Sequence, residues 1–232
     1  SISGARECIL DQTRVVRQLV QGDHGPGGIL RITNGGHLTS GWYTEDGQTK
    51  RVWTGIGWCN TATLIVEQSG QLSVGDHLWI ALPEGSDGTL IIDGGTVTVA
   101  HQLGLNWENH PNSSARILLY DGQLNVENWT ENTIGINSFL DIHAGSVQIS
   151  GDRRYLIEPM IADGRIRAYR GRGKIIIDYN ASAPGKTSLK AIPPIAGDLN
   201  NDAGVDFSDL LILAKNWLVY DCDHPANLTP PC

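Results

Sequence analysis

The chain has 232 residues and a formal charge of −8 at pH 7, an acidic balance that argues against general binding to nucleic-acid phosphates. Only 18% of residues are charged while 28 are glycine, a composition too rich in aliphatics for a disordered chain and suited to many short strands joined by turns. No run of 18 apolar residues occurs, so no membrane-spanning helix is expected.

Residues 1–12 read as an N-terminal extension. The chain begins at Ser1, which fits a cleaved signal peptide. Four cysteines, Cys8, Cys59, Cys222 and Cys232, have no metal-type spacing; an even count points to disulfides and an oxidising compartment. Three connectivities are open, and the favoured one is Cys8–Cys59 with Cys222–Cys232.

Residues 13–190 are dominated by a repeat. Its units are GILRITNGGHLTS (28–40), ATLIVEQSGQLSV (62–74), GTLIIDGGTVTV (88–99), ARILLYDGQLNV (115–126) and SFLDIHAGSVQI (138–149). Each is an apolar alternation, a turn and a second alternation. Leu30, Leu64, Leu90, Ile117 and Leu140 hold one equivalent inward position, and Leu38, Leu72, Val97, Leu124 and Val147 hold another. A third short apolar element precedes each unit, so every coil has three strands. The intervals between the first set of positions are 34, 26, 27 and 23 residues. A three- to five-residue strand cannot bury its own apolar row, but a stack of coils lets each cover the next. The expected architecture is all-β, a right-handed parallel β-helix (β-solenoid).

From about residue 151 the pattern departs from the repeat and reads as a terminal cap. YLIEPMIADGRI is expected to form a short helix or turn limited by Pro159, and RIRAY and KIIIDY to form strands. Arg153, Arg154, Arg165, Arg167, Arg170, Arg172 and Lys174 crowd into this cap. They read either as an edge-protecting charged face or as a docking strip for an acidic partner, such as another copy or an anionic polysaccharide.

After a linker at 191–196 comes DLNNDAGVDFSD, with oxygen at the side-chain positions of a twelve-residue calcium loop: Asp198, Asn200, Asp202, Asp206 and Asp209, with the Gly204 carbonyl as the backbone ligand. Ala203 stands where glycine is usual, and Asp209 where a longer Glu is usual. A helix is expected to follow, with Leu210, Leu213 and Trp217 on its apolar face. The stretch 197–219 resembles one repeat of a type I dockerin, a family whose members carry two. It is also similar to the C-terminal segments of secreted planctomycete-type proteins that follow glycine-rich β-repeats and end in a Cys/Pro-rich tail, here residues 220–232. The oxygen pattern of the loop points to Ca²⁺ as the cofactor, and the resemblance implies an extracellular or cell-surface location and no established catalytic activity.

Asn112, Asn128, Asn180 and Asn227 stand in N-x-S/T sequons and are candidate glycosylation sites. Trp42, Trp53, Trp58, Trp79, Trp107 and Trp129 either stack on sugars or pack the solenoid. Asp76, Asp93, Asp121 and Asp141 are expected mostly at turns, and no paired carboxylates recur, so no catalytic residue is named. His77 and His101 are expected to stack one coil apart as a surface ladder. The reading that follows is a secreted structural subunit that joins other copies of itself head to tail. A carbohydrate-binding or adhesive surface module is the alternative, and a β-helix polysaccharide-degrading enzyme the third reading. Neither nucleic acid nor a membrane span is expected.

Overall fold

A computed structural model of the chain describes residues 7–23, 27–200 and 204–216. Its strands follow the repeat coil by coil. The first coil holds β1 (Glu7–Leu10), β2 (Thr13–Val15) and β3 (Val20–Gln21). The second holds β4 (Ile29–Ile32), β5 (His37–Ser40), an inserted hairpin of β6 (Trp42–Glu45) and β7 (Gln48–Arg51), and β8 (Thr54–Ile56). The third holds β9 (Thr61–Glu67), β10 (Gln71–Val74) and β11 (Leu78–Ile80). The fourth and fifth run on as the bent strands β12 (Asp87–Leu105) and β13 (Ser114–Asn128), and the sixth starts with β14 (Phe139–Ile142) and β15 (Ser146–Ser150). The cap comprises α1 (Arg154–Ala162), β16 (Ile166–Ala168), β17 (Lys174–Tyr179) and β18 (Lys186–Ile192), and α2 (Phe207–Asn216) follows.

The coils stack in parallel register to form a β-solenoid of about six turns. Cys8, Leu30, Leu64, Leu90, Ile117, Leu140 and Ile166 lie one above another through β1, β4, β9, β12, β13, β14 and β16. Past the corner, Leu38, Leu72, Val97, Leu124 and Val147 do the same. From Leu30 to Leu140 the first column is buried, as is the second from Leu38 to Val147. Together with the third column, Ile56, Ile80, Leu105 and Ile134, they form one continuous core. The long first interval accommodates the β6–β7 hairpin. Asp46 and Gly47 close it with φ of 52° and 72°, the paired left-handed residues that suit a two-residue hairpin turn.

The corners demand close backbone approach. A Cβ on Gly122 would lie 2.1 Å from the Gly95 carbonyl oxygen, and Gly122 has φ +95°. Only glycine fits both conditions.

The last coil and the cap differ from expectation in three respects. Pro159 lies inside α1 rather than ending it. The helix forgoes the hydrogen bond that Pro159 lacks, and Ile157 and Met160 are buried at the end of the stack. The strand β18 is an addition: it pairs antiparallel with both β15 and β17, so one face of the sheet changes from parallel to antiparallel pairing at the cap. Asp141 lies within β14, 1% exposed, not at a turn.

Among the described residues Cys8 and Cys59 are free thiols, not bonded to each other, which corrects the expected Cys8–Cys59 bridge. The register explains why. Cys8 pairs with Leu30, which pairs with Leu64, whereas Cys59 donates its N–H to Gly22 at the start of that third coil. Two steps of the stack separate Cys8 from the Leu64 level, roughly 9.6 Å, beyond the ~7 Å that a disulfide spans between Cα atoms. Cys222 and Cys232 lie outside the described residues.

Candidate functional site

The expected calcium loop is closed by its last residue. Asp209 is buried, 3% exposed. Its Oδ1 accepts the N–H groups of Leu199 (2.6 Å) and Asn200 (3.2 Å), and its Oδ2 accepts that of Asp206 (2.8 Å). Asp206 in turn accepts the Ser208 N–H at 2.7 Å, so the two aspartates together cap the backbone N–H groups at the start of α2. The Asp206 N–H, then those of Leu199 and Asn200, hold the Asp209 carboxyl below the usual carboxylate range against the opposing effect of burial. Asp198, Asn200, Gly204 and Asp206 lie in the same loop, and Asp202 lies outside the described residues.

These residues fit Ca²⁺ in donor chemistry, since every side chain of the set offers oxygen. They depart from the usual scheme at the last position. Three of the roughly four lone-pair sites of the Asp209 carboxylate already face backbone N–H groups, which leaves it a one-oxygen rather than a two-oxygen ligand. The helix that follows buries its apolar residues only in part: Phe207 is 76% exposed and Leu210 54%, while Leu213 is half-buried. Trp217 lies outside the described residues.

The basic strip is partly neutralised within the cap. Arg154 pairs with Asp152 at 2.7 Å, and Arg165 with Asp163 at 2.7 Å. Arg167 pairs with Asp141 at 3.0 Å and lies over the Phe139 ring, 3.6 Å from its centre. Arg153 precedes α1, its N–H on Thr187 Oγ1 and its Nε on the Ser150 carbonyl. The Arg170 N–H donates to Asp141 Oδ1. Arg172 and Lys174 line a cleft with Ile192, Pro193, Pro194 and Ile195. The strip is therefore mainly cap architecture, with Arg172 and Lys174 at its groove.

One face of the stack carries aromatic and histidine side chains in adjoining coils. Trp53 stacks on Trp58 with centroids 4.0 Å apart, and Trp79 tilts against Trp107 at 5.4 Å. Trp79 pairs in register with Gly55 below and Gly104 above, where the missing side chains make room for these rings. Trp42 is exposed on its hairpin, whereas Trp129 is fully buried and belongs to the core, so it is not available for stacking on a sugar.

Beside the aromatic row, His77 and His101 do meet across one coil, with ring centroids 4.5 Å apart. His77 Nδ1 lies 2.9 Å from Asp76 Oδ2. Reading the histidines as a ladder missed the carboxylate, because Asp76 joins them through a turn whose direction local sequence does not specify. The available signal was a spacing of about one coil between an Asp-His pair and a second His.

Of the sequons, Asn112 and Asn180 are exposed, and Asn128 is half-buried in β13. Asn180 accepts the Gly185 N–H at 2.8 Å. Asn227 lies outside the described residues. No described helix is long and apolar enough to cross a membrane. Comparison with protein-family models, curated proteins and solved structures found no match to this chain.

Proposed function

We propose that the protein is an extracellular structural subunit that joins copies of itself end to end. The observation that carries this reading is the difference between the two ends of the stack. At the first end, β1, β2 and β3 each pair on one side only, with β4, β5 and β8. Among the described residues their outer edges are unpaired, and Ile9 and Val15 are exposed there. At the far end β17 pairs only with β18 among the described residues and exposes Ile176 and Tyr179. A strand edge left open is a template for another strand. The ends are different surfaces, so contact between them is head to tail and generates a chain of copies.

Charge supports a second copy as the occupant. Residues 151–190 carry nine Lys/Arg against four Asp/Glu, whereas residues 1–150 carry seven against fifteen. The exposed face of α2 adds apolar surface beyond the solenoid. In this reading Ca²⁺ orders the 198–209 loop, and the segment packs against a neighbour. Concentration-dependent sedimentation together with negative-stain imaging tests the proposal. Elongated assemblies are expected, and single particles at every concentration, with calcium and with chelator, overturn it.

A second reading, a polysaccharide-binding face, is supported by the half-buried Trp53, Trp58, Trp79 and Trp107 rings on one face of the stack. Retention on immobilised polysaccharide that Trp79→Ala and Trp107→Ala abolish would favour it; equal elution of wild type and variants would remove it.

A further inference from the structure

We propose that Asp76, His77 and His101 form a binding site for one divalent transition-metal ion of the zinc class. The site is separate from the oxygen-rich loop at 198–209, and the proposal does not rest on self-assembly.

The three side chains each place a ligand atom within 4.8 Å of the other two. Three atoms no farther apart than that enclose a point about 2.8 Å from each, so shifts of less than about 1 Å bring all three to the 2.0–2.1 Å of zinc–nitrogen and zinc–oxygen bonds. His77 Nδ1 and Asp76 Oδ2 are 2.9 Å apart, within about 0.5 Å of the roughly 3.3 Å that separates two ligands on a tetrahedral ion with bonds of this length.

The fold holds the group in place. Leu78 pairs with Leu103, which sets β11 and β12 in the register that brings His77 against His101. The His77 carbonyl accepts the Thr54 N–H at 2.8 Å, and its ring stacks on Trp79 at 5.0 Å and 24°. Coordination therefore asks for little ordering of these side chains.

A second observation points to a ligand. His101 Nδ1 is buried and has no hydrogen-bond partner. A buried polar atom ordinarily finds a partner, and a bound ion would supply one to a ring nitrogen that carries a lone pair. Two imidazoles and one carboxylate suit zinc, cobalt, nickel or iron(II) and discriminate against calcium and magnesium, which prefer oxygen alone. Three protein ligands leave at least one coordination position for water or an exogenous ligand.

The test is a cobalt(II) titration of the full chain, followed by the visible absorption bands of the bound ion and by displacement with zinc. One equivalent of cobalt is expected to give bands of a low-coordinate N/O site, which zinc removes. His77→Ala and His101→Ala are expected to weaken binding more than tenfold, whereas His37→Ala and Asp209→Asn leave it unchanged. His101→Gln, closer in volume, replaces His101→Ala if circular dichroism shows that the alanine variant has not folded. Absence of the bands in the wild-type chain, or bands that persist at full strength in both histidine variants, overturns the proposal. Loss of the bands in Asp209→Asn alone would also overturn it by placing the ion in the other loop.

Discussion

Arg167 Nε donates to Oδ2 of Asp141 at 3.0 Å, and this pair links β16 of the cap to β14 of the last coil. Asp141 is almost fully buried, and its other oxygen accepts the Arg170 N–H at 3.0 Å, with His143 3.5 Å away. The second bond holds a turn in which Tyr169 and Arg170 both have positive φ, 50° and 61°, a conformation non-glycine residues avoid. Removing the guanidinium leaves a buried carboxylate short of its cationic partner. Arg167→Ala is expected to cost about 1.5–3 kcal/mol, the range for a hydrogen bond to a charged group. Asp141→Ala should cost a similar amount, and the double variant less than the sum, because both remove the same interaction. Urea unfolding of the three variants measures this.

Gly122 and Gly47 separate backbone strain from steric conflict. Both have positive φ, but a Cβ on Gly47 meets open space whereas one on Gly122 meets the Gly95 carbonyl oxygen at 2.1 Å. Gly47→Ala is expected to cost about 1–2 kcal/mol, the penalty of left-handed backbone for an L-residue. Gly122→Ala adds displacement of a neighbouring coil and is expected to cost at least about 2 kcal/mol more than this strain alone. Denaturant midpoints of the two variants check the ordering.

Asp209 should make the C-terminal segment sensitive to acid. Backbone N–H groups lower its folded pKa below the unfolded value, so it contributes order that is complete above the unfolded carboxylate pKa. That contribution is lost as pH falls through the folded pKa. Amide exchange over residues 198–209 is expected to be slow near neutral pH and to quicken, after correction for intrinsic rates, below about pH 4. Asp209→Asn should show the same loosening at neutral pH, because a neutral amide accepts these N–H groups more weakly.

Calcium is expected to bind the loop weakly. With Asp209 offering one oxygen, Kd should fall at about 10⁻⁴–10⁻³ M, the range of weak extracellular modules. Calorimetry checks this, and chelation is expected to raise protease sensitivity at α2 without affecting the solenoid.

The open edges give a paired prediction for self-association. Ile176→Lys at β17 and Val15→Lys at β2 place a charge at opposite ends of the stack, a common means by which natural edge strands avoid pairing. Each alone is expected to shorten assemblies, because a head-to-tail contact needs both surfaces. Sedimentation velocity reads the effect, and unchanged circular dichroism shows that the fold remains intact.

Much of the fold was legible in the sequence because a solenoid repeats one local rule. Alternation at Leu64–Val66 or Leu90–Ile92 selects an inward face with period two, and coils of similar length bring equivalent positions into register. What tertiary structure alone decided depends on contacts between coils and at the chain's end. The register placed Cys8 too far from Cys59 to bridge, and burial placed Trp129 in the core and Asp141 under Arg167. Pairing with β15 drew β18 into an antiparallel cap. The joining of Asp76 to the expected His77–His101 pair follows from the same cause: the carboxylate meets the rings only when the turn that carries it has chosen its direction, and that choice is made by the stack as a whole.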